Sequence, residues 1–211
     1  VSEMPDALYC LPAPPQREDA QFAYDSCQYE WGKSVRNTPR GDKARLDGEY
    51  SILRMAQIFS PILGVEISQT NTPHIWKLLI DATKTADFTC RNAKKTYMRP
   101  RPFMVFNEPT LIPEEEENLR RNGSYPSGHT MLGWSSALVL CEVAPSVQNE
   151  IIKEGYEYGQ SRVIAGFHWQ SDVDVARLAA SVAFARLHTS KAYLKQLHKA
   201  QKEYRKLREQ K

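Results

Sequence analysis

Three short stretches gather the side chains that could do chemistry. They are KKTYMRPRP (residues 94–102), GSYPSGHT (123–130) and SRVIAGFHWQSD (161–172). Together they supply Lys94, Arg101, Ser127, Gly128, His129, Arg162, His168 and Asp172. Cations, a small Gly-containing turn, two imidazoles and one carboxylate suit a tetrahedral oxyanion. Arginine grips two oxygens with its planar fork, and lysine adds a point charge. A Ser-Gly turn entering a helix offers backbone N–H groups to an anion, helped by the helix dipole. His168 and Asp172 stand four apart across a turn that leads into a helix. The carboxylate can accept the proton of one ring nitrogen, leaving a lone pair on the other as base or nucleophile. His129 is a second imidazole able to protonate a leaving oxygen, because an unperturbed histidine titrates near about pH 6.5.

Each piece also has a plainer reading. A histidine that starts a helix is often structural, an Arg-Pro pair is often a stop signal, and His-x3-Asp is often a local hydrogen bond or half a metal site. Gly123–Tyr125 read as residues that shape a turn. The order and spacing of the pieces argue for more.

The elements that must position them are helices. The chain has 211 residues and is 41% hydrophobic, enough for one domain over 1–211 with a buried core. A Pro-rich arm (1–16, with LPAPPQ at 11–16) should be extended. A helix follows over about Arg17–Val35, with Phe22, Ala23, Cys27, Trp31 and Val35 near one face. NTPRGD (37–42) breaks it, and a second helical pattern covers Leu46–Phe59, ended by SPILG. Thr72 and Pro73 open the next helix, whose face is Ile75, Leu78, Leu79, Ala82, Ala86 and Cys90. RPRPF stops it. Residues 107–123 read as a polar surface loop with a solvated run at Glu114–Glu117. An apolar helix over Met131–Val143, a helix over Gln148–Val163, and one over Asp172–His188 with Ser171 as its N-cap complete the body. No segment alternates well enough to be a strand. The class is all-α, a helical bundle.

Charge and composition narrow the partners. The net charge is +3, too small to imply nucleic acid. Residues 191–211 hold eight Lys or Arg and two Glu, so the remainder is slightly acidic at −3. That basic C-terminal segment (190–211) reads as a helix with a narrow apolar face at Tyr193, Leu194, Leu197, Tyr204 and Leu207, laid on the body or on a partner. No apolar run reaches the roughly 18–20 residues of a membrane span. Cys10, Cys27, Cys90 and Cys141 are even in number, allowing three disulfide pairings, and show no zinc spacing.

The full pattern is Lys-x6-Arg-Pro, then Pro-Ser-Gly-His, then Ser-Arg-x5-His-x3-Asp. The first block is doubled, but seven residues before Arg99 stands Asn92, whereas seven before Arg101 stands Lys94. The pattern resembles the signature of the type 2 phosphatidic acid phosphatase superfamily, which also includes vanadium haloperoxidases. The closer resemblance is to bacterial class A non-specific acid phosphatases. It runs through LPAPP, RNAKKTYMRPRPF, GSYPSGHT and GYEYGQSRVIAGFHWQSDV, over roughly 11–188.

The resemblance implies an acid phosphatase/vanadium haloperoxidase-like helical fold and hydrolysis of small phosphate monoesters of broad specificity. His168 would attack phosphorus and become a phosphohistidine, with Asp172 holding its tautomer. His129 would protonate the leaving alcohol and later activate water, which favours an acidic pH optimum. Lys94, Arg101, Arg162, Ser127 and the N–H of Gly128 would hold the phosphoryl oxygens. It further implies export to the periplasm or medium (this chain shows no signal peptide), at least one disulfide, a homo-oligomer (dimer or larger), and a possible phosphotransferase side activity. An apyrase-like hydrolysis of nucleoside polyphosphates would use the same residues. Halide oxidation with vanadate and a purely helical interaction module using the basic tail are weaker readings. Lipid phosphate is disfavoured without a membrane segment. Leu132 and residues 107–123 are candidates for the pocket wall.

Three fixed cations can stabilise a phosphoryl group in flight without a metal ion, and His168 and Asp172 lack a clustered third ligand, so no metal and no cofactor are expected. Phosphate release should therefore survive EDTA and be inhibited by vanadate. Loss of activity on chelation, measured with an aryl phosphate, overturns the metal-free expectation.

Overall fold

The computed structural model describes residues 3–209, which are helical with no strand among them. The helices are α1 (Ala7–Cys10), α2 (Ala20–Ser34), α3 (Pro39–Leu46), α4 (Ile52–Leu63), α5 (Pro73–Tyr97), α6 (Pro102–Phe106), α7 (Glu116–Arg120), α8 (Gly128–Val143), α9 (Gln148–Ala165), α10 (Gln170–Leu187) and α11 (Lys191–Glu209). Short 3-10 turns at Pro113–Glu115 and Pro145–Val147 lead into α7 and α9.

Helix α8 lies at the centre because its sequence, GHTMLGWSSALVLCEV, is apolar on most sides. It packs against α5, α9, α10 and α11. Two glycines let α8 and α9 approach closely. A Cβ on Gly133 would stand 2.4 Å from Cδ1 of Tyr158, and one on Gly155 would stand 2.5 Å from Cβ of Ala137. Helix α5 buries the expected face, Ile75, Leu78, Leu79, Ala82, Ala86 and Cys90. The basic helix α11 lies on the body, burying Tyr193, Leu197, Ala200 and Tyr204. Its Glu203 accepts from the free N–H groups of His74 (3.1 Å) and Ile75 (2.9 Å), capping α5 from across the fold.

Several expectations need correction. The stripe that α2 buries is Asp25, Tyr29 and Gly32, whereas Ala23 and Cys27 are exposed and Trp31 is 45% exposed. A buried carboxylate paired with Arg99 outweighs the apolar pattern there. NTPRGD does end α2, yet Thr38 caps a new helix, with its Oγ1 accepting from Arg40 N (3.2 Å) and Pro39 at the first position. The next helix starts only at Ile52, capped by Ser51, and carries Pro61 in its last turn before Gly64 (φ 67). Residues 7–10 form a turn of helix capped by Asp6, so only the part from Leu11 onward behaves as an arm. Trp169, not Ser171, is the N-cap of α10. The expected disulfide is absent: all four cysteines are free thiols.

The close α8–α9 contact yields a measurable expectation. Gly155→Ala should lower stability by about 1–3 kcal/mol, the usual cost of overpacking, and reduce the melting temperature. An unchanged melting temperature would show that the helices can separate freely.

Candidate active site

His168 hangs in the turn between α9 and α10. Gly166 makes that turn possible: its φ is 86, and it ends α9 by donating to the carbonyls of Arg162 and Val163. His168 is 2% exposed. Its Nε2 lies 3.1 Å from Nη1 of Arg101, and its Nδ1 lies 3.3 Å from Oδ2 of Asp172. An arginine can only donate, so Nε2 carries the lone pair and Nδ1 the proton.

Asp172 is held on all sides. Its Oδ2 also accepts from the backbone N–H of Trp169 (2.8 Å) and from the hydroxyl of Ser124, and its Oδ1 accepts from Nη1 of Arg99 (2.7 Å). Arg99 in turn reaches Oδ2 of Asp25 (2.8 Å), and Asp25 accepts from the N–H (2.8 Å) and hydroxyl (2.6 Å) of Ser171. The two arginines of RPRP therefore divide. Arg101 faces the cavity and Arg99 braces the carboxylate behind it.

Lys94 and Arg101 are satisfied by carbonyl oxygens. Lys94 Nζ donates to Gly123 O (2.7 Å). Arg101 donates to the carbonyls of Leu119 (3.1 Å), Asn122 (3.2 Å), Phe167 (2.9 Å) and Gly123 (3.4 Å). Burial, then the Arg101 charge, lowers Lys94 to about 8. Burial lowers Arg101 to about 10. Arg162 is different. It is 0% exposed, none of its three guanidinium nitrogens has a hydrogen-bond partner, and it lies over the Phe167 ring at 4.5 Å. Burial lowers its pKa as well.

His129 is the second residue of α8. Its Nε2 lies 2.8 Å from Gly48 O and so carries the proton, while its ring leans on Tyr50 at 5.0 Å. Gly48 is fixed by its neighbour Asp47, whose buried carboxylate accepts from Lys43 (3.1 Å), Arg54 (2.8 Å) and Ser161 (2.6 Å). Both imidazoles titrate well below the ordinary histidine range. For His168 the causes are burial, then Arg101 and Lys94; for His129 they are burial, then Arg162.

These residues surround a cavity of about 490 Å³ whose lining includes Lys94, Arg101, Gly128, His129 and His168. A Cβ on Gly128 would meet nothing within 4 Å, so the space beside the start of α8 is open. Arg162, Ser127 and Asp172 lie behind the wall. Ser127 Oγ accepts from Thr130 N (3.3 Å) and Oγ1 (3.0 Å), and Ser127 N donates to Asp172 O (3.0 Å). Of the expected walls, Leu132 belongs to the hydrophobic core, whereas residues 107–123 contribute Leu119, Arg121 and Asn122. That segment is not a plain surface loop, since Leu111 and Ile112 are buried and Glu115 lies 3.6 Å from Arg162. Sequence reasoning missed Asp25, Ser124, Glu115, Gly48 and Tyr50 as parts of the site. A charged residue amid the α2 pattern was the one available signal for Asp25. Glu115 was hidden among four consecutive glutamates.

A family model described as the PAP2 superfamily matches residues 77–195, which contain all three signature blocks. The chain belongs to that superfamily. It is 46% identical over 208 residues to a non-specific acid phosphatase of Providencia stuartii, covering 98% of this chain and 84% of that protein. It is 44% identical over 202 residues to a non-specific acid phosphatase of Salmonella typhimurium (95% and 81% covered). It is also 30% identical over 203 residues to an acid phosphatase of Zymomonas mobilis (96% and 77% covered). Within the superfamily the chain is thus a class A non-specific acid phosphatase, an enzyme of the phosphatase class.

The depressed imidazoles make anion binding proton-linked. A bound dianion offsets the cations that lower His129, so its pKa rises and a proton is taken up. Sulfate, whose own charge is constant across this range, should bind more tightly as pH falls from about 6.5 to 5, by up to about tenfold per unit. Calorimetry in two buffers of different ionisation heat should show uptake, reduced in His129→Gln. Absence of proton uptake in the wild type would contradict the electrostatic account.

Proposed function

We propose that the enzyme hydrolyses phosphate monoesters of broad specificity, without a metal ion, through a phosphohistidine on His168. The Nε2 lone pair attacks phosphorus, and the bond to the leaving oxygen breaks as His129 delivers a proton to that oxygen. Asp172 keeps the Nδ1 proton and stabilises the charge that grows on the ring. A water molecule then gives its proton to His129 and attacks phosphorus, and the P–N bond breaks. An alcohol in place of water would give phosphotransfer. Lys94, Arg101 and Arg162 would hold the non-bridging oxygens together with Ser127 and the Gly128 N–H.

The observation that carries this reading is the tautomer of His168. The Asp172 carboxylate and the Arg101 guanidinium leave only Nε2 as a nucleophilic atom, and it lies on the cavity wall. Its low basicity keeps the lone pair free in acid. Arg101 Nη1 sits 3.1 Å from that lone pair, so substrate oxygens must draw the guanidinium away before attack. Export to the periplasm or medium remains part of the reading on the family resemblance, and no helix is long and apolar enough to cross a membrane among the described residues.

A second reading, hydrolysis of nucleoside polyphosphates, is favoured by one feature. Arg91, Lys95 and Arg121 also line the cavity and could meet further phosphates.

Rapid quenching into alkaline denaturant during turnover of an aryl phosphate labelled in its phosphoryl group should capture an alkali-stable, acid-labile phosphate on His168. His168→Ala should lose the label and at least about a thousandfold in kcat, as expected for a nucleophile. Near-normal turnover by that variant rules out the phosphohistidine. Comparing ATP with the aryl phosphate ranks the two substrate classes.

A further inference from the structure

Of the three cations proposed to grip phosphate, Lys94 and Arg101 line the cavity and Arg162 does not. Its guanidinium is sealed, with Nε, Nη1 and Nη2 all lacking hydrogen-bond partners. The carboxylate paired with it is that of Glu115, with Oε2 at 3.6 Å from Nη2. That is close enough for charge attraction and too long for a good hydrogen bond. Glu115 ends the 3-10 turn Pro113–Glu115, and its side chain is 35% exposed.

The position of Glu115 is built. On one side is Arg162. On the other, a Cβ placed on Gly48 would lie 3.5 Å from Oε1 of Glu115, and the Gly48 carbonyl is the acceptor for His129. The next residue, Glu116, ties the segment down by accepting from Thr110 N (2.7 Å). A few residues on, the Leu119 and Asn122 carbonyls hold Arg101. One segment therefore supports one cation of the cradle with neutral oxygens and faces another with a negative charge.

We propose that Glu115 is an internal competitor of the phosphate: it neutralises Arg162 in the empty enzyme and gives it up when phosphoryl oxygens arrive. This rests on the reading of Arg162 as part of the phosphate cradle. Phosphate can make paired, charge-assisted hydrogen bonds to a guanidinium, which Glu115 does not make at 3.6 Å, so the exchange runs toward the bound state. The observed affinity is the difference between the two contacts. Glu115 thereby weakens binding of inorganic phosphate, the product, and helps it leave. It also spares the empty enzyme a buried cation without a counter-charge.

The test uses Glu115→Gln, close in size and uncharged. Inorganic phosphate should inhibit it at about two- to fivefold lower concentration, the weight of one partly exposed ion pair. Its melting temperature without phosphate should fall, and the rise on adding saturating phosphate should grow. In an Arg162→Met background the same substitution should leave phosphate affinity unchanged. An inhibition constant that is unchanged or higher in Glu115→Gln overturns the proposal, because a residue that only shapes the segment would give that result. A gain that persists without Arg162 overturns it too. Direct binding of vanadate to the wild type separates the two levels: no binding means that the cradle reading itself has failed.

Discussion

Positive charges packed together out of water repel one another and lose hydration, and this fold holds three of them close to one another. Lys94, Arg101 and Arg162 lie at or just behind one cavity wall. The fold meets the cost for two of them with neutral acceptors. The carbonyls of Gly123, Leu119, Asn122 and Phe167 turn their oxygens toward Lys94 and Arg101. Carbonyls inside a regular helix are already paired, so such acceptors come from helix ends, as at Leu119 in the last turn of α7, and from irregular backbone. This explains why the loop before α8 and the turn after α9 are where they are. Gly123 shows the steric side of the same need. A Cβ there would stand 2.7 Å from Lys94 O, so only glycine lets the loop come close enough to lend its carbonyl to Lys94.

Behind the cations sits an opposing layer. Asp172 and Asp25 share Arg99, and Ser124, Ser171 and the Trp169 N–H complete their coordination. This network joins α2, the RPRP segment, the Ser124 turn and the start of α10. The Ser127 N–H to Asp172 carbonyl bond adds the start of α8. The N-termini of α8 and α10 thus meet at the site, and their dipoles add to the positive field there. The network also fixes which nitrogen of His168 is basic. Organisation of this kind costs folding stability and lowers the reorganisation needed during reaction.

Much of this was legible in the sequence because it rests on local patterns. The helical class, the face of α5 and most of that of α11 follow from spacing, although the expected Leu194 is exposed, and the choice of Lys94 and Arg101 over Arg99 came from the resemblance to the family signature. The eight signature residues fall in or just behind one cavity wall because three blocks of fixed spacing end or begin helices. What could not be read depends on partners far along the chain. Asp25 is buried because Arg99, 74 residues later, answers its charge, and no periodicity encodes that. Glu115 is one of four consecutive glutamates and is singled out only by where the turn points it. Pro39 looked like a breaker and acts as a first helical residue, since the same ring geometry serves both. The disulfide was inferred from kinship and not from contacts, and the contacts do not supply it.

The Arg-Pro-Arg-Pro stretch carries one more consequence. Each proline forces the residue before it into an extended backbone, and Arg101 accordingly has φ −78 and ψ 157. The two arginines nevertheless part company, Arg101 lining the cavity and Arg99 reaching Asp25 and Asp172. Substitution at either site leaves the other where it is. A single inserted or deleted residue between them would rotate one guanidinium away from its side, and either the Arg99–Asp172 contact or the place of Arg101 in the cavity wall would go with it. The length of this segment is therefore under tighter constraint than its composition, which makes residues 99–101 a poor place for natural variation by insertion.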